Sequence, residues 1–230
     1  MSLNQILAIS ESVGINDQRV TAQVTSRNQR VYASEYLSVV PFRFTMKPHN
    51  YLQYSQYRSL LNDLRVADRT AEQYLNFGAT GWLNYIKYQG DLNSAQVTAC
   101  NWQTASANKT LVLGSLPAIT GGITSSTVIV RAGDFCQVGR YTYIATADVL
   151  RGSGSTVNIP VHRSLIVTLT STVGAVLGEL GTTANLGGST YTGVTFPVLL
   201  QEYPTYTLRP FTNDSFIEWS GQFTAIEAVL

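Results

Sequence analysis

The sequence predicts a mainly β fold: an antiparallel β-barrel or sandwich domain with one short helix, joined by a small β-meander or partial-barrel unit. Three observations carry this. Apolar and polar residues alternate with a period of two in many short runs, clusters of Gly, Ser and Thr separate those runs, and only one stretch has the three-and-four spacing of a helix. At 230 residues the chain can bury a substantial core without cross-links.

The first alternating runs are "RVTAQVTS" (19–26) and "YLSVVPFRFTMKP" (36–48), in which Val39, Phe42, Phe44 and Met46 fall mostly on one face. Pro41 assigns the second run to a sheet edge or a bulge. The period then changes. "NYLQYSQYRSLLNDLRV" (50–66) spaces Tyr54, Tyr57, Leu60, Leu61 and Leu64 for a helix, with Asn50 as its expected N-cap and Arg58, Arg65 and Arg69 along a solvated side. Short strands follow in "AEQYLNF", "WLNYIKY", "AQVTACNW", "KTLVLG", "STVIV", "FCQVG", "YTYIATADV" and "STVNIPV". Gly121–Gly122 and "RGSGS" (151–155) mark turns between them.

These runs divide the chain into four regions. Residues 1–100 form an N-terminal β-rich region carrying the helix at about 50–66, and 101–170 a small barrel-like unit. Residues 171–193 form a long Gly/Thr-rich loop or hairpin, and 194–230 are strands that return to the core. The 171–193 segment holds little bulky apolar surface, so it is expected to be ordered more readily by a neighbouring chain than alone.

Charge and cysteine usage exclude several classes. Only 13% of residues are charged and the net charge is +1, so the strong single-sign field of a nucleic-acid or membrane binder is absent. So sparse a charge suits a surface covered by protein neighbours. Cys100 and Cys136 fit no zinc or redox spacing and are expected to be buried, reduced thiols. The opening "MSLNQILAISESVG" has no basic n-region, and no run reaches the ~18 apolar residues of a membrane span. A soluble chain made in a cytoplasm is expected.

The chemistry of common active sites leaves no mark. "GSGS" is followed by a strand and lacks the strand-to-helix elbow of a serine hydrolase, and no Gly-rich stretch joins a strand to a helix to cradle phosphate. His49 and His162 are too few for a His-rich metal site and read as surface or capping residues. Nothing singles out Glu179, Glu202 or Glu218 as a tuned acid, so no enzyme, catalytic residue, cofactor or metal is expected.

The stretch "AGDFCQVGRYTYIATADV" (132–149) places an acid, a thiol and an arginine close together, yet it reads as sheet. Asp134 is expected to bond its own backbone two residues on. Cys136 and Val138 share a face, Gly139–Arg140 turn, and the next run pairs back with Tyr141, Tyr143, Ala145 and Ala147 on one side. "TVNIPV" is expected to add the third strand. A reactive Cys136, with its thiolate stabilised by Arg140 or Arg151, is the functional alternative.

The succession "RAGDFCQVGRYTYIATADVLRGSGSTVNIPVHRSLI" (131–166), then "FPVLLQEYP" and "WSGQFTAIEAVL", resembles distal tail proteins and related tail-tip or baseplate ring components of tailed bacteriophages. The front of the chain, "VVPFRFTMKPHNYLQYSQYRSLLNDL", is similar to that family in its order of strand, "F.F" strand and short helix. The resemblance implies a virion structural protein whose copies, six in the family's pattern, form a ring joining the tail tube to the tip or baseplate. Its implied partners are its own copies, the tail tube protein and hub or baseplate proteins, assembled in the host cytoplasm, with no nucleic acid or membrane. No functional residue transfers. Alternatives are another virion ring component, such as a tube, tube-terminator or baseplate wedge protein, and a carbohydrate-binding host-attachment module in which Trp82, Trp102 or Trp219 would stack on sugar rings. An enzyme acting on the cell wall would need a cleft holding an acid of shifted pKa.

Overall fold

Phe42, Phe44 and Met46 alternate with Arg43, Thr45 and Lys47, and in the computed structural model all three apolar side chains are fully buried. The structure describes residues 2–17, 21–25, 31–35, 40–67, 71–79, 83–103, 109–166 and 171–229; Val39, Arg69 and Trp82 lie outside the described residues. The described chain is mainly β, with antiparallel registers and short helices. It forms two compact units, residues 1–75 with 197–230, and residues 76–196.

The first unit is built on a sheet with strand order Ser10–Asn16, Arg43–Pro48, Phe223–Glu227, Thr195–Glu202, Gln73–Asn76. Phe44 stands opposite Ile15 on one side and Ala225 on the other, and Met46 opposite Val13 and Phe223. Chain start, middle and end therefore share one core. Glu227, itself buried, closes the register: its Oε2 accepts from the Phe42 N–H at 3.1 Å, and its own N–H donates to the Phe42 carbonyl at 2.8 Å.

The helix predicted at 50–66 is Tyr54–Ala67, with Leu60, Leu61 and Leu64 buried and Arg58 and Arg65 exposed. Asn50 is not its cap. Leu52–Gln53 first pair with Ile217 and Phe216, the third strand of a sheet ordered Tyr206–Phe211, Asp214–Trp219, Leu52–Gln53. Asp214 from that sheet caps the helix instead, accepting from the Ser55 N–H at 3.3 Å and the Ser55 hydroxyl at 2.6 Å. Asn50 Oδ1 accepts from the Trp219 N–H. Against the expectation of one helix, Ser2–Ala8 is a second, burying Leu3, Ile6 and Leu7, and it contacts both Tyr54–Ala67 and Arg43–Pro48. Thr21–Thr25 and Val31–Glu35 pair as a separate hairpin.

The second unit has two four-stranded sheets. One runs Tyr141–Ile144, Phe135–Val138, Val176–Leu177, Leu180–Gly181; the other runs Val157–Pro160, Thr110–Gly114, Asn101–Trp102, Val173–Gly174. Trp102, Leu111, Leu113, Cys136, Tyr143, Ile159 and Leu177 belong to one buried cluster. Tyr88, Leu92, Val97 and Cys100 join it, so residues 76–100 pack here and not with the N-terminal region to which their sequence position assigns them.

Three strand expectations fail in this unit for identifiable reasons. "AQVTACNW" begins as the helix Ser94–Ala99 because Asn93 and Gln96 form a capping box, each side chain bonding the other's backbone N–H. Leu83–Lys87 of "WLNYIKY" forms no strand. Ile86 and Tyr88 are buried and Lys87 exposed, so the segment alternates without a ladder. "TVNIPV" pairs with Thr110–Gly114; the third strand beside Phe135–Val138 is Val176–Leu177, out of the Gly/Thr-rich segment. That segment is a series of short hairpins, with Ala175, Val176 and Leu177 buried within its own unit.

Candidate functional site

Gly133 takes φ +98, turning the chain so that the Asp134 carboxylate points inward, where it is 2% exposed. It does not bond two residues on. Oδ2 accepts from the Arg131 N–H, three residues back, and Oδ1 from the Gln89 N–H, both at 2.9 Å. The neighbouring amide, Tyr88 N–H, is held at 2.7 Å by Glu179 Oε2. Two carboxylates from different turns thus take consecutive amides of one extended segment.

Further bonds fix the same segment. The Tyr88 hydroxyl donates to the Ile129 carbonyl. Arg131 Nε donates to the Gln89 carbonyl at 2.8 Å, and its guanidinium pairs with Asp91 at 3.3 Å. Asp91 Oδ2 in turn accepts from the Val128 N–H at 2.8 Å. Glu179 reaches its amide because Gly178, at φ +56, lies against the Ile86 carbonyl with no room for a side chain. Residues 86–91 are therefore held mostly by side-chain bonds, with a backbone bond, from the Asp91 N–H to the Val128 carbonyl at 2.8 Å, tying the segment to a strand.

Burial pushes the Asp134 carboxyl up, the N–H groups of Arg131 and Gln89 and the Arg131 charge hold it down, and Glu179 pushes it up again. Two neighbouring acids with one shifted upward is a pattern that general acids share. Here both Asp134 oxygens accept from backbone N–H groups and the side chain is closed to solvent, so the arrangement clamps a segment.

Both thiols are buried as well. Cys136 pairs with Tyr143, is fully buried, and its thiol is pushed far up by burial and then by Asp134. Arg151 is engaged elsewhere, donating to the carbonyls of Pro117 at 2.9 Å and Gly152 at 3.3 Å. Cys100 is pushed up to about 11 by burial, and both cysteines are free.

The remaining candidates do not converge. His49 is exposed, 3.8 Å from Glu11, while His162 Nδ1 accepts from the Ile144 N–H at 3.0 Å. Glu202 accepts from the Thr224 hydroxyl, and Glu218 pairs with Arg209. Among the described residues no three His, Cys, Asp or Glu side chains gather to hold a metal, and no helix is long and apolar enough to cross a membrane. Trp102 and Trp219 are buried; Trp102 Nε1 donates to the Gln137 carbonyl at 2.7 Å. Neither offers a face to a sugar.

What the surface does present is a strand edge. Among the described residues Tyr206–Phe211 ends its sheet, paired there with Asp214–Trp219 alone, and it is exposed from Thr207 to Phe211. Beside it Phe211 is 53% exposed and Tyr51 63% exposed, their rings meeting Phe216 at 4.6 and 6.3 Å. Sequence reading missed the edge, although Pro210 between two alternating residues is the signal that marks one.

Fold and site together define a mainly β, two-unit protein whose buried acids Asp134 and Glu227 accept from backbone N–H groups and whose two cysteines are buried and free. No known protein family matches the chain, and no curated protein matches it.

Proposed function

We propose that this chain is a structural protein of a tailed-bacteriophage virion, a ring component at the distal end of the tail that joins tube to tip or baseplate, without catalytic activity. Its partners in this reading are its own copies, the tail tube protein and hub or baseplate proteins. The sequence rhythm at 131–166 and at the chain end supports it. The observation that carries it is the strand Tyr206–Phe211, an exposed edge flanked by aromatic rings on a chain with 13% charged residues. An open edge of this kind is a template for pairing, and closing a ring removes it. Light scattering on the purified chain, alone and with tube and hub proteins, tests the reading. A cyclic oligomer, or a monomer that assembles with its tube partner, is expected; a stable monomer unmoved by either protein overturns it.

A further inference from the structure

Within the first unit a cleft of about 310 Å³ is lined by the helices Ser2–Ala8 and Tyr54–Ala67, which contact one another. The helical repeat aligns its lining. Gln56, Ser59, Leu60 and Asp63 recur at three and four residues along Tyr54–Ala67, with Tyr57 beside them, and Gln5 and Ala8 lie three residues apart on Ser2–Ala8. Ile9 follows directly. Its N–H donates to the Gln5 and Ile6 carbonyls, both at 3.2 Å, so the turn that ends the first helix fixes one wall.

The chemistry of the lining selects the ligand. Among the described residues that form it, Asp63 is the one charged side chain; it is exposed, and no hydrogen bond or ion pair holds it. Gln5, Gln56, Ser59 and the Tyr57 hydroxyl supply the other polar groups. Gln56 Nε2 already donates to Gln53 Oε1 at 2.8 Å, which leaves the carbonyl oxygen of that amide as an acceptor. A carboxylate, amide and hydroxyl oxygens and an aromatic face all attract a cation. Ala8, Ile9 and Leu60 supply apolar wall, which disfavours a hydrated metal ion and favours a cation that carries its own apolar surface. We propose that this cleft binds a small organic cation, an ammonium group bearing methyl or methylene carbons, with its charge at Asp63 and its carbon surface against Tyr57 and Leu60. The inference goes beyond the virion reading, since it uses none of the residues of the exposed strand Tyr206–Phe211.

The probe is tetramethylammonium chloride, titrated into the full chain and followed by amide NMR shifts, with tert-butanol as a neutral molecule of similar shape and sodium chloride at matched ionic strength as controls. Tetramethylammonium is expected to shift amides at 5–9 and 56–63 and to bind about tenfold tighter than tert-butanol, while sodium chloride leaves those amides in place. Asp63→Asn, at an exposed position, is expected to bring the two molecules to equal binding, and Tyr57→Leu to weaken tetramethylammonium more than tert-butanol. Ala8→Trp, which fills the cleft and leaves Asp63 in place, is expected to abolish the shifts, and it decides the matter should Tyr57→Leu fail to fold. No shifts at high millimolar probe, the same shifts from sodium chloride, equal binding of tert-butanol by the unaltered chain, or tetramethylammonium binding that survives Asp63→Asn and Ala8→Trp unchanged overturns the proposal.

Discussion

At the scale of single residues, burial decides what an acid or a thiol does. Cys136 lies between Phe135 and Gln137 in a strand buried along both faces, so its thiolate has neither water nor a cation to stabilise it. Native protein is expected to leave Cys136 unlabelled by a thiol reagent near neutral pH while denatured protein labels fully; fast native labelling contradicts the structural role. Cys136→Ala should cost only about 1 kcal/mol, read from urea unfolding. Asp134 is different, because its loss strands the N–H groups of Arg131 and Gln89. Asp134→Ala is expected to cost about 2 kcal/mol or more in the same measurement, and a cost below that of Cys136→Ala counts against the clamp.

At the scale of elements, the ends of helices and strands are set by partners distant in sequence. Tyr54–Ala67 has no acid in its first turn, and Asp214 supplies one from a strand more than a hundred residues later. The bond from the Ser55 hydroxyl, with help from the Ser215 and Ser55 N–H groups, holds the Asp214 carboxyl below its ordinary value. A carboxyl depressed in the folded state stabilises it above the unfolded-state pKa, and that contribution fades as pH falls through the folded-state value. Acid titration should therefore lower the thermal midpoint of the native chain more than that of Asp214→Asn, followed by helical circular dichroism; parallel curves would show that Asp214 does not cap the helix. The helix itself was legible from the spacing of Leu60, Leu61 and Leu64. Its start was not, since Asn50 is a good local cap and only the pairing of Leu52–Gln53 with Phe216 and Ile217 displaces the helix start to Tyr54.

At the scale of the molecule, each unit owns a core. Residues 76–196 leave and rejoin the first unit through Gln73–Asn76 and Thr195–Glu202, neighbouring strands of one sheet, so the second unit is an insertion whose two ends are a strand spacing apart. Calorimetry of the full chain is expected to resolve two unfolding transitions, and a core change such as Leu113→Ala should lower one of them alone. A single transition shifted as a whole would mean that the units unfold together. Ring formation, proposed from the exposed strand Tyr206–Phe211, belongs to the same scale, since it uses a surface that neither core needs.

The sequence by itself determined the mainly β class, the burial of Phe42, Phe44 and Met46, the Gly139–Arg140 hairpin and the burial of both cysteines. Each follows from periodicity or turn chemistry within a few residues, the range over which side chains dictate backbone geometry directly. Only the tertiary structure decided that Val176–Leu177 completes the sheet of Phe135–Val138, that Asp134 and Glu179 hold Gln89 and Tyr88, and that Glu227 closes on Phe42. Those partners are set by which buried polar groups remain unpaired once distant segments pack, and a backbone N–H, present at nearly every residue, carries no mark in the sequence of the carboxylate that will take it.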